Sequence, residues 1–271
     1  MSSIKVNCNK IEISNDSKLC IIAGPCQLET EQHAMDMAGK IKDITKKFGI
    51  GFIYKTSFDK ANRTSLKGKR GAGLDASLPV FDKIKKELNV PILTDIHNIE
   101  QCAVVAGHVD VLQIPAFLCR QTDLLVAAAK SGKIVNIKKG QFMDSKSMGF
   151  AVNKVLQSGN SNVLITERGN MFGYQDLVVD FRNIPKMKVY APVILDVTHS
   201  LQRPNQDSGV TGGEPELIET IAKAGIVSGA DGIFIETHYD PKSAKSDGKN
   251  MLPIEELDNL ISRLVKIKSS I

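Results

Sequence analysis

Short apolar runs of strand-forming residues alternate along this chain with segments whose apolar residues recur at helical spacing. Eight such runs follow one another from Leu19 onward, and the sixth has the weakest helical partner. Alternating strands and helices are typical of a parallel sheet, and eight such units close into a barrel. An open doubly wound sheet is the alternative, but no glycine fingerprint follows the first strand. The sequence therefore predicts an α/β protein, a (β/α)8 TIM barrel.

The predicted barrel strands are bounded by turn residues, glycines or charges. They are Leu19–Ala23, Ile50–Tyr54, Val90–Thr94, Val109–Ile114, Ile134–Ile137, Val163–Ile165, Val193–Val197 and Gly232–Ile235. Among the helices between them, the segment Leu78–Leu88 is predicted to carry Pro79 in its first turn, where a missing N–H is tolerated.

The residues before Leu19 predict a separate small element. Ile4–Val6 and Ile11–Ile13 flank a polar turn, which is typical of a short β-hairpin. We expect the hairpin, within residues 1–18, to close the bottom of the barrel. No linker, low-complexity stretch or break in composition follows, so we expect residues 1–271 to form a single barrel domain.

The charge of the chain argues against a nucleic-acid partner. A net charge of +5 is mild, the lysines are dispersed, and the chain has no tryptophan for base stacking. No apolar run approaches the length of a membrane span, and the N-terminus lacks the apolar core of a secretory signal. A modest positive excess suits acidic small molecules.

Cysteine usage indicates a reducing compartment. The number of cysteines, five, is odd, and no Cys-x-x-Cys pair occurs, which argues against a zinc ribbon. We therefore expect a soluble, cytoplasmic protein.

Polar residues follow every predicted strand. Taken in order, one from each strand, they are Cys26, Lys55, Asp95, Gln113, Lys138, Arg168, His199 and Glu236. In this fold the active site is built at the carboxyl ends of the strands, so these side chains should face one small volume. A single basic loop such as Lys55–Ser65 is most often only solvated. The recurrence after other strands favours a site instead.

The cations near these strand ends outnumber the needs of a single phosphate. Lys55, Lys60, Arg63, Lys138 and Arg168 would all lie on the same rim of the barrel. Lysine and arginine bind phosphate oxygens, and arginine does so in a bidentate manner. Two anionic groups, or two phosphorylated substrates, are therefore expected.

Three of the strand-end residues have the chemistry of metal ligands. Cys26, His199 and Glu236, with a fourth oxygen ligand, would suit zinc, iron or manganese better than magnesium. However, a lone cysteine after a strand is most often a small buried apolar residue, and Asp247 alone would be a turn residue. The residues permit a metal site without requiring one.

Several long motifs resemble the 3-deoxy-D-manno-octulosonate 8-phosphate synthase family. They extend from about Leu19 to the closing helix, over nearly the whole chain. The motifs are Gly24–Cys26, Lys55–Ser65, Gln113–Leu125, Asn136–Phe142, Thr166–Gly169, Phe172–Tyr174, Asp196–Ser200 and Glu236–His238. One departure is the stretch Thr211–Glu216, which is acidic where the family commonly has a cation.

The resemblance implies that phosphoenolpyruvate and D-arabinose 5-phosphate are the substrates. Their condensation releases phosphate and gives the eight-carbon acid sugar of lipopolysaccharide. Members of the family with cysteine at the position of Cys26 are metal-dependent, whereas those with asparagine are not. The implied ligands of a divalent Mn²⁺, Zn²⁺, Fe²⁺ or Co²⁺ ion are Cys26, His199, Glu236 and Asp247.

The resemblance also assigns substrate contacts. The groups expected to hold phosphoenolpyruvate are Lys60, Lys138, Arg168, Gln113 and the backbone of Ala116. Those expected to contact the pentose phosphate are Lys55, Ser57, Asn62 and Arg63. Arg120 would reach the sugar phosphate of a neighbouring subunit in a homotetramer. We count Asp95 with the substrate-binding residues, and the expected catalytic residues are Lys60, Lys138, His199 and Asp247.

Two rival functions share this barrel. A sister enzyme, 3-deoxy-D-arabino-heptulosonate 7-phosphate synthase, uses erythrose 4-phosphate and has the same kind of metal site. Its loop after the second strand typically contains Lys-Pro-Arg-Thr, whereas this chain has Lys60-Ala61-Asn62-Arg63. A non-catalytic sugar-phosphate sensor would be expected to have lost at least one metal or phosphate group, and all are present.

Overall fold

A computed structural model describes residues 4–14, 16–63, 66, 68–204 and 211–271. Parts of the predicted hairpin segment (residues 1–3 and 15) and of the basic loop (Thr64 and Ser65) lie outside the described residues. The strands are β1 (Val6–Cys8), β2 (Ile11–Ile13), β3 (Cys20–Gly24), β4 (Gly51–Lys55), β5 (Ile92–Asp95), β6 (Val111–Ile114), β7 (Ile134–Lys138), β8 (Val163–Glu167), β9 (Asn170–Met171), β10 (Leu177–Val178), β11 (Val193–Asp196), β12 (Gln202–Arg203), β13 (Gly212–Gly213), β14 (Gly232–His238) and β15 (Leu252–Pro253).

The predicted barrel is confirmed. Strands β3 to β8, followed by β11 and β14, run parallel, each paired with the next. The last of them, β14, pairs both with β11 and with the first, β3, so the sheet closes on itself. Each strand begins within two residues of its predicted start and ends within three residues of its predicted end, since buried parallel strands are continuous apolar runs that the sequence marks clearly.

The helices surround the barrel, in the order expected for this fold. They are α1 (Glu31–Lys47), α2 (Leu74–Leu88), α3 (Ile99–Ala106), α4 (Thr122–Lys130), α5 (Ser145–Gln157), α6 (Asn183–Met187), α7 (Ile218–Val227) and α8 (Ile254–Ser269). The sixth unit is indeed the weakest, because a two-stranded excursion of β9 and β10 precedes its short helix α6. No helix among the described residues is long and apolar enough to cross a membrane.

The predicted start of α2 was wrong. The helix begins at Leu74, so Pro79 lies inside it and not in its first turn. A proline there removes one helical hydrogen bond. The buried face of the helix, which includes Phe81 and Ile84, offsets this loss by packing in the core.

The predicted hairpin is confirmed, and it packs into the amino end of the barrel. Strands β1 and β2 pair antiparallel with Val6 opposite Ile13, and both side chains are fully buried. They join one cluster with inward-facing barrel residues, namely Cys20, Ile22, Ile53, Leu93, Val111, Ile134, Leu164, Ile194 and Phe234. A Cβ atom added to Gly51 would lie 2.4 Å from Ile11, so this close approach requires glycine.

Candidate active site

The carboxyl ends of the barrel strands surround a cavity of about 820 Å³. Most of the predicted site residues line it: Lys55, Lys60, Asn62, Arg63, Asp95, Gln113, Ala116, Lys138, Arg168, His199 and Asp247. Cys26, Ser57 and Glu236 are fully buried next to these lining residues. Arg120 is exposed and is absent from the lining. The structure therefore brings together nearly all of the residues that the sequence singled out.

A chain of hydrogen bonds joins the ends of neighbouring strands on one side of the cavity. The Asp95 carboxylate accepts hydrogen bonds from Ser57 Oγ and, at 2.6 Å, from Gln113 Nε2. Asn136 Nδ2 donates to Gln113 Oε1 at 2.8 Å, and Thr166 Oγ1 donates to Asn136 Oδ1 at 2.8 Å. Because every member of this chain is buried, the network fixes the orientation of Gln113 and Asp95.

Lys55 neutralises a second buried carboxylate, that of Glu236. Its Nζ lies 2.5 Å from Glu236 Oε1 and 2.9 Å from the carbonyl oxygen of Cys26, and the lysine is only 1% exposed. Burial alone would raise the pKa of Glu236, but the imidazole of His199 and the ammonium of Lys55 help to lower it to about 2. Glu236 is therefore ionised at neutral pH.

Lys60 lies between two carboxylates at the cavity wall. Its Nζ is 4.0 Å from Asp95 Oδ2 and 4.0 Å from Glu236 Oε1. Burial alone would lower the pKa of Lys60, but Cys26 and the nearby carboxylates outweigh burial and raise it. Lys60 therefore keeps its proton and presents a positive charge to the cavity.

Asp196 connects two predicted catalytic residues, and the sequence reasoning had given it no role. Its Oδ2 accepts a hydrogen bond from Lys138 Nζ and lies 2.7 Å from His199 Nδ1. Its Oδ1 accepts the backbone N–H of Thr198 at 3.1 Å and of His199 at 2.8 Å. Lys138 Nζ also lies 3.6 Å from the centroid of the Phe234 ring. The position of Asp196 at the end of an apolar strand, like that of Asp95, was a sign in the sequence that it could belong to the site.

Arg168 carries an unpaired donor. The side chain is buried, and its Nη2 donates to Gln202 Oε1 at 2.7 Å. Its Nη1 is also buried and has no hydrogen-bond partner among the described residues. An unsatisfied guanidinium nitrogen facing a cavity indicates a place for an anion.

The backbone on either side of Arg168 is held by a second buried ion pair that was not predicted. Glu167 Oε1 accepts the N–H groups of Arg168 at 2.9 Å and of Gly169 at 2.7 Å. Lys139 Nζ lies 3.3 Å from the same oxygen, and both side chains of this pair are fully buried. This ion pair therefore fixes the backbone from which the Arg168 side chain extends.

Three of the four predicted metal ligands lie together beside the cavity, and the fourth, His199, lies next to one of them. Cys26 Sγ and one carboxylate oxygen each from Glu236 and Asp247 lie within 4.8 Å of one another. His199 Nε2 lies 3.5 Å from Glu236 Oε1, and Glu236 Oε2 is buried with no hydrogen-bond partner among the described residues. Asp196 engages the other ring nitrogen of His199, a common arrangement for a metal-bound imidazole. The donor set therefore fits a divalent transition metal.

Two further features of this set bear on metal binding. Burial, with the carboxylate of Asp247, raises the pKa of the Cys26 thiol, and a bound cation would favour the thiolate instead. Asp247 has a left-handed backbone with φ of 49°. Such a conformation is uncommon for a residue other than glycine and is often found at functional sites.

Charged residues at the cavity mouth form hydrogen bonds or ion pairs with neighbouring groups of the chain. Arg63 donates to the carbonyl oxygen of Lys69 at 2.9 Å and to Gln27 Oε1 at 3.2 Å. In the acidic stretch Thr211–Glu216, Glu214 Oε1 lies 2.6 Å from Arg203 Nη2, and β13 pairs with β12. The acidic residue is thus neutralised within the loop.

Comparison with known proteins gives a consistent set of relatives. The profile of the DAHP synthetase I family matches residues 3–271. A protein named 2-dehydro-3-deoxyphosphooctonate aldolase from Mesorhizobium japonicum is 56% identical over 262 residues, which cover 96% of this chain and 95% of that relative. Proteins with the same name from Chelativorans sp. and Brucella ovis are 55% and 56% identical, over 96% and 97% of this chain and 95% of each relative.

We predict that Asp196→Asn destabilises the metal-free protein strongly. Lys138 would keep a buried charge without its carboxylate, and breaking a buried ion pair costs roughly 3–5 kcal/mol. The free energy of unfolding, measured by denaturant titration in the presence of a chelator, should fall by about this amount. The control is Asp180→Asn, since Asp180 pairs with the exposed Arg182 and its loss should matter little. Equal losses in the two variants would contradict the role given to Asp196.

Proposed function

Because this chain belongs to the DAHP synthetase I family, we propose that it condenses phosphoenolpyruvate with D-arabinose 5-phosphate and water. The products are 3-deoxy-D-manno-octulosonate 8-phosphate and inorganic phosphate, and the reaction serves lipopolysaccharide synthesis. The name carried by the relatives, 2-dehydro-3-deoxyphosphooctonate aldolase, denotes the same enzyme as the synthase family that the motifs resemble. That resemblance is thereby confirmed, and the protein is a transferase.

One structural observation carries the proposal: buried and half-buried cations converge on one cavity. Arg168 has a guanidinium nitrogen with no hydrogen-bond partner in the described part of the chain, and Lys60 keeps its proton. Lys138 Nζ contacts the Asp196 carboxylate from within the same cavity. A small molecule with both a carboxylate and a phosphate suits such a set.

We assign the deeper part of the cavity to phosphoenolpyruvate. The assigned residues are Lys60, Lys138, Arg168, Gln113 and the backbone of Ala116. The hydrogen-bond chain through Asp95 holds Gln113 in place, and the Glu167 carboxylate holds the backbone of Arg168. Rigid donors lose little free energy when the substrate binds, which supports this assignment.

We assign the pentose phosphate to the side of the cavity formed by Lys55, Ser57, Asn62 and Arg63. Asn62 and Arg63 line the cavity, and Asn62 is exposed toward solvent. Lys55 pairs with Glu236, and Ser57 donates to Asp95. These last two residues therefore act on the sugar mainly by holding the carboxylates beside it.

The bond changes are a carbon–carbon addition followed by loss of phosphate. The C3 carbon of phosphoenolpyruvate attacks the aldehyde carbon of the sugar, and the aldehyde oxygen takes up a proton. The oxygen of water adds at C2 and one proton of the water is released, which balances the proton taken up by the aldehyde oxygen. The C2–O bond to phosphate then breaks, the C2 hydroxyl becomes a carbonyl, and its proton leaves with the phosphate. Cations that hold both phosphates bring the reacting carbons within attack distance, from which much of the acceleration arises. Lys60 and Arg168 stabilise the negative charge that develops.

We propose that a divalent transition metal takes part. Its ligands are Cys26, His199, Glu236 and Asp247, whose donor atoms fit such an ion. When bound, the ion supplies Lewis-acid polarisation of the aldehyde or a water of lowered pKa. Asp196 holds His199 in the orientation that such binding needs.

The rival functions have less support. A preference for erythrose 4-phosphate is disfavoured by the names of the relatives and by Lys60-Ala61-Asn62-Arg63 after β4. A non-catalytic sensor is disfavoured because the phosphate-binding cations and all four candidate metal ligands are present together.

We also propose a homotetramer in the cytoplasm, with residues 1–271 forming a single domain. Arg120 is exposed outside the cavity, which supports a role toward a neighbouring subunit. The five cysteines are all free and buried, which suits a reducing compartment.

We predict that the purified protein releases phosphate from phosphoenolpyruvate far faster with arabinose 5-phosphate than with erythrose 4-phosphate. A site built to hydrogen-bond the hydroxyl groups of the longer sugar should discriminate by about 100-fold or more in kcat/KM. The assay follows inorganic phosphate with each aldose at equal concentration. Comparable rates with the two sugars, or a preference for the four-carbon sugar, would overturn the assignment.

We predict that exhaustive chelation abolishes turnover and that Mn²⁺, Zn²⁺, Fe²⁺ or Co²⁺ restores it. Cys26→Asn should lose tight metal binding yet retain some chelator-resistant turnover, because the cations that bind phosphate remain. Metal content is measured by mass spectrometry beside the rate. Cys102→Ser is the matched control, because Cys102 is a buried cysteine that is not among the residues lining the cavity. Full wild-type turnover without detectable metal would show that Cys26 is only a buried thiol.

We predict that Arg120→Ala raises the KM for arabinose 5-phosphate by about tenfold, the effect of losing one charged hydrogen bond. The KM for phosphoenolpyruvate should hardly change, because only the sugar phosphate loses a partner. Arg182→Ala, another exposed arginine, is the control. If both KM values rise together in Arg120→Ala, the role across the subunit boundary is wrong.

A further inference from the structure

A second group of ligand-type side chains lies outside the set that includes Cys26. Glu29 precedes α1, His33 lies in the first turn of α1, and His238 ends β14. Each offers one ligand atom, and these atoms lie within 4.8 Å of one another. None of the three residues has been given a role in the proposed reaction.

The imidazoles of this group have unsatisfied nitrogen atoms. His238 is 5% exposed, and its Nδ1 accepts the backbone N–H of Asp240 at 3.0 Å. Its Nε2 is buried without a hydrogen-bond partner among the described residues and lies 3.6 Å from Glu29 Oε1. That distance is longer than a hydrogen bond. Such a nitrogen, aimed at a carboxylate, indicates that something belongs between them.

His33 adds the third group. Both of its ring nitrogens are buried without a partner in the described part of the chain, and its ring centroid lies 4.6 Å from that of His238. A simple ion pair between protonated His238 and Glu29 would leave both nitrogens of His33 unsatisfied. It does not explain the cluster.

We propose that Glu29, His33 and His238 form a second metal site, which takes Zn²⁺ or a similar transition metal ion. Two imidazoles and one carboxylate are a common zinc donor set that leaves one coordination position open. Ligand atoms of a tetrahedral zinc site are about 3.4 Å apart, so binding draws these atoms together by at most about 1.5 Å. Magnesium prefers oxygen ligands and should bind poorly.

One ligand of this site also borders a second cavity. Glu29 lines a smaller cavity of about 310 Å³, together with Gln27, Arg70 and Lys245. Its Oε1 also accepts the backbone N–H of Lys245 at 3.0 Å, two residues before Asp247. A bound ion would therefore connect α1 and β14 with the segment that carries Asp247. The two sets share no ligand.

The test counts metal ions in chains that lack the first site. Cys26→Ala protein is stripped with a chelator, equilibrated with Zn²⁺, and analysed for bound zinc by mass spectrometry and by calorimetric titration. We expect a single Zn²⁺ per chain. Adding His33→Gln should weaken this binding about 100-fold or more, since loss even of a residue that supports a metal ligand costs 10–100-fold. His108→Gln, which alters an exposed histidine paired with Asp82, should leave it unchanged.

Cobalt distinguishes the two sites in the wild-type chain. Co²⁺ bound through a thiolate gives a sulfur-to-metal charge-transfer band, whereas Co²⁺ at Glu29, His33 and His238 gives only weak visible bands. We expect His33→Gln to lower the visible absorption while leaving the charge-transfer band unchanged. If Cys26→Ala binds no zinc, or if its zinc persists in the His33→Gln variant, the second site is overturned. Neither result depends on turnover, so failure of the proposed reaction would be recognised separately.

Discussion

The structure depends on the neutralisation of charge that is buried at the carboxyl end of the barrel. Lys55 and Lys138 are each almost completely shielded from water, and an isolated ammonium in such a place would be very costly. Glu236 compensates the first lysine and Asp196 the second. Each pair joins strands that stand two apart around the barrel, β4 with β14 and β7 with β11, so the positions of the charges depend on the order and curvature of the sheet. The fold and the site therefore stabilise each other.

This arrangement makes the cations rigid before any substrate arrives. Flexible surface lysines would have to lose side-chain entropy on binding a phosphate, whereas Lys138 is already oriented by Asp196. The Glu167–Lys139 pair does the same for the backbone at Arg168. The conformational entropy of these side chains was therefore already lost when the chain folded. Such a site suits a reaction in which two anionic molecules must be held in a fixed relative position.

The sequence predicted the eight strands because a buried strand is a local property, visible in a short apolar run. It also predicted which residues lie at the strand ends, since the fold places all such ends on one rim. The pairing of Asp196 with Lys138 and of Lys139 with Glu167 could not be predicted in this way. Those contacts depend on side-chain directions between strands that are remote in sequence. The start of α2 was missed for a related reason, because tertiary packing outweighed the local cost of Pro79.

The Phe234 ring is shared by two regions that were described separately. It belongs to the apolar cluster beneath the site, which contains the hairpin residues Val6 and Ile13, and it lies under Lys138 and Lys55 at 3.6 and 5.6 Å. The ring thus separates the apolar cluster, a region of low polarisability, from the polar cavity above it. Field lines from the two ammonium groups are directed toward the cavity. The hairpin that fills the far end of the barrel therefore helps to set how strongly an incoming anion is attracted, although it never touches one.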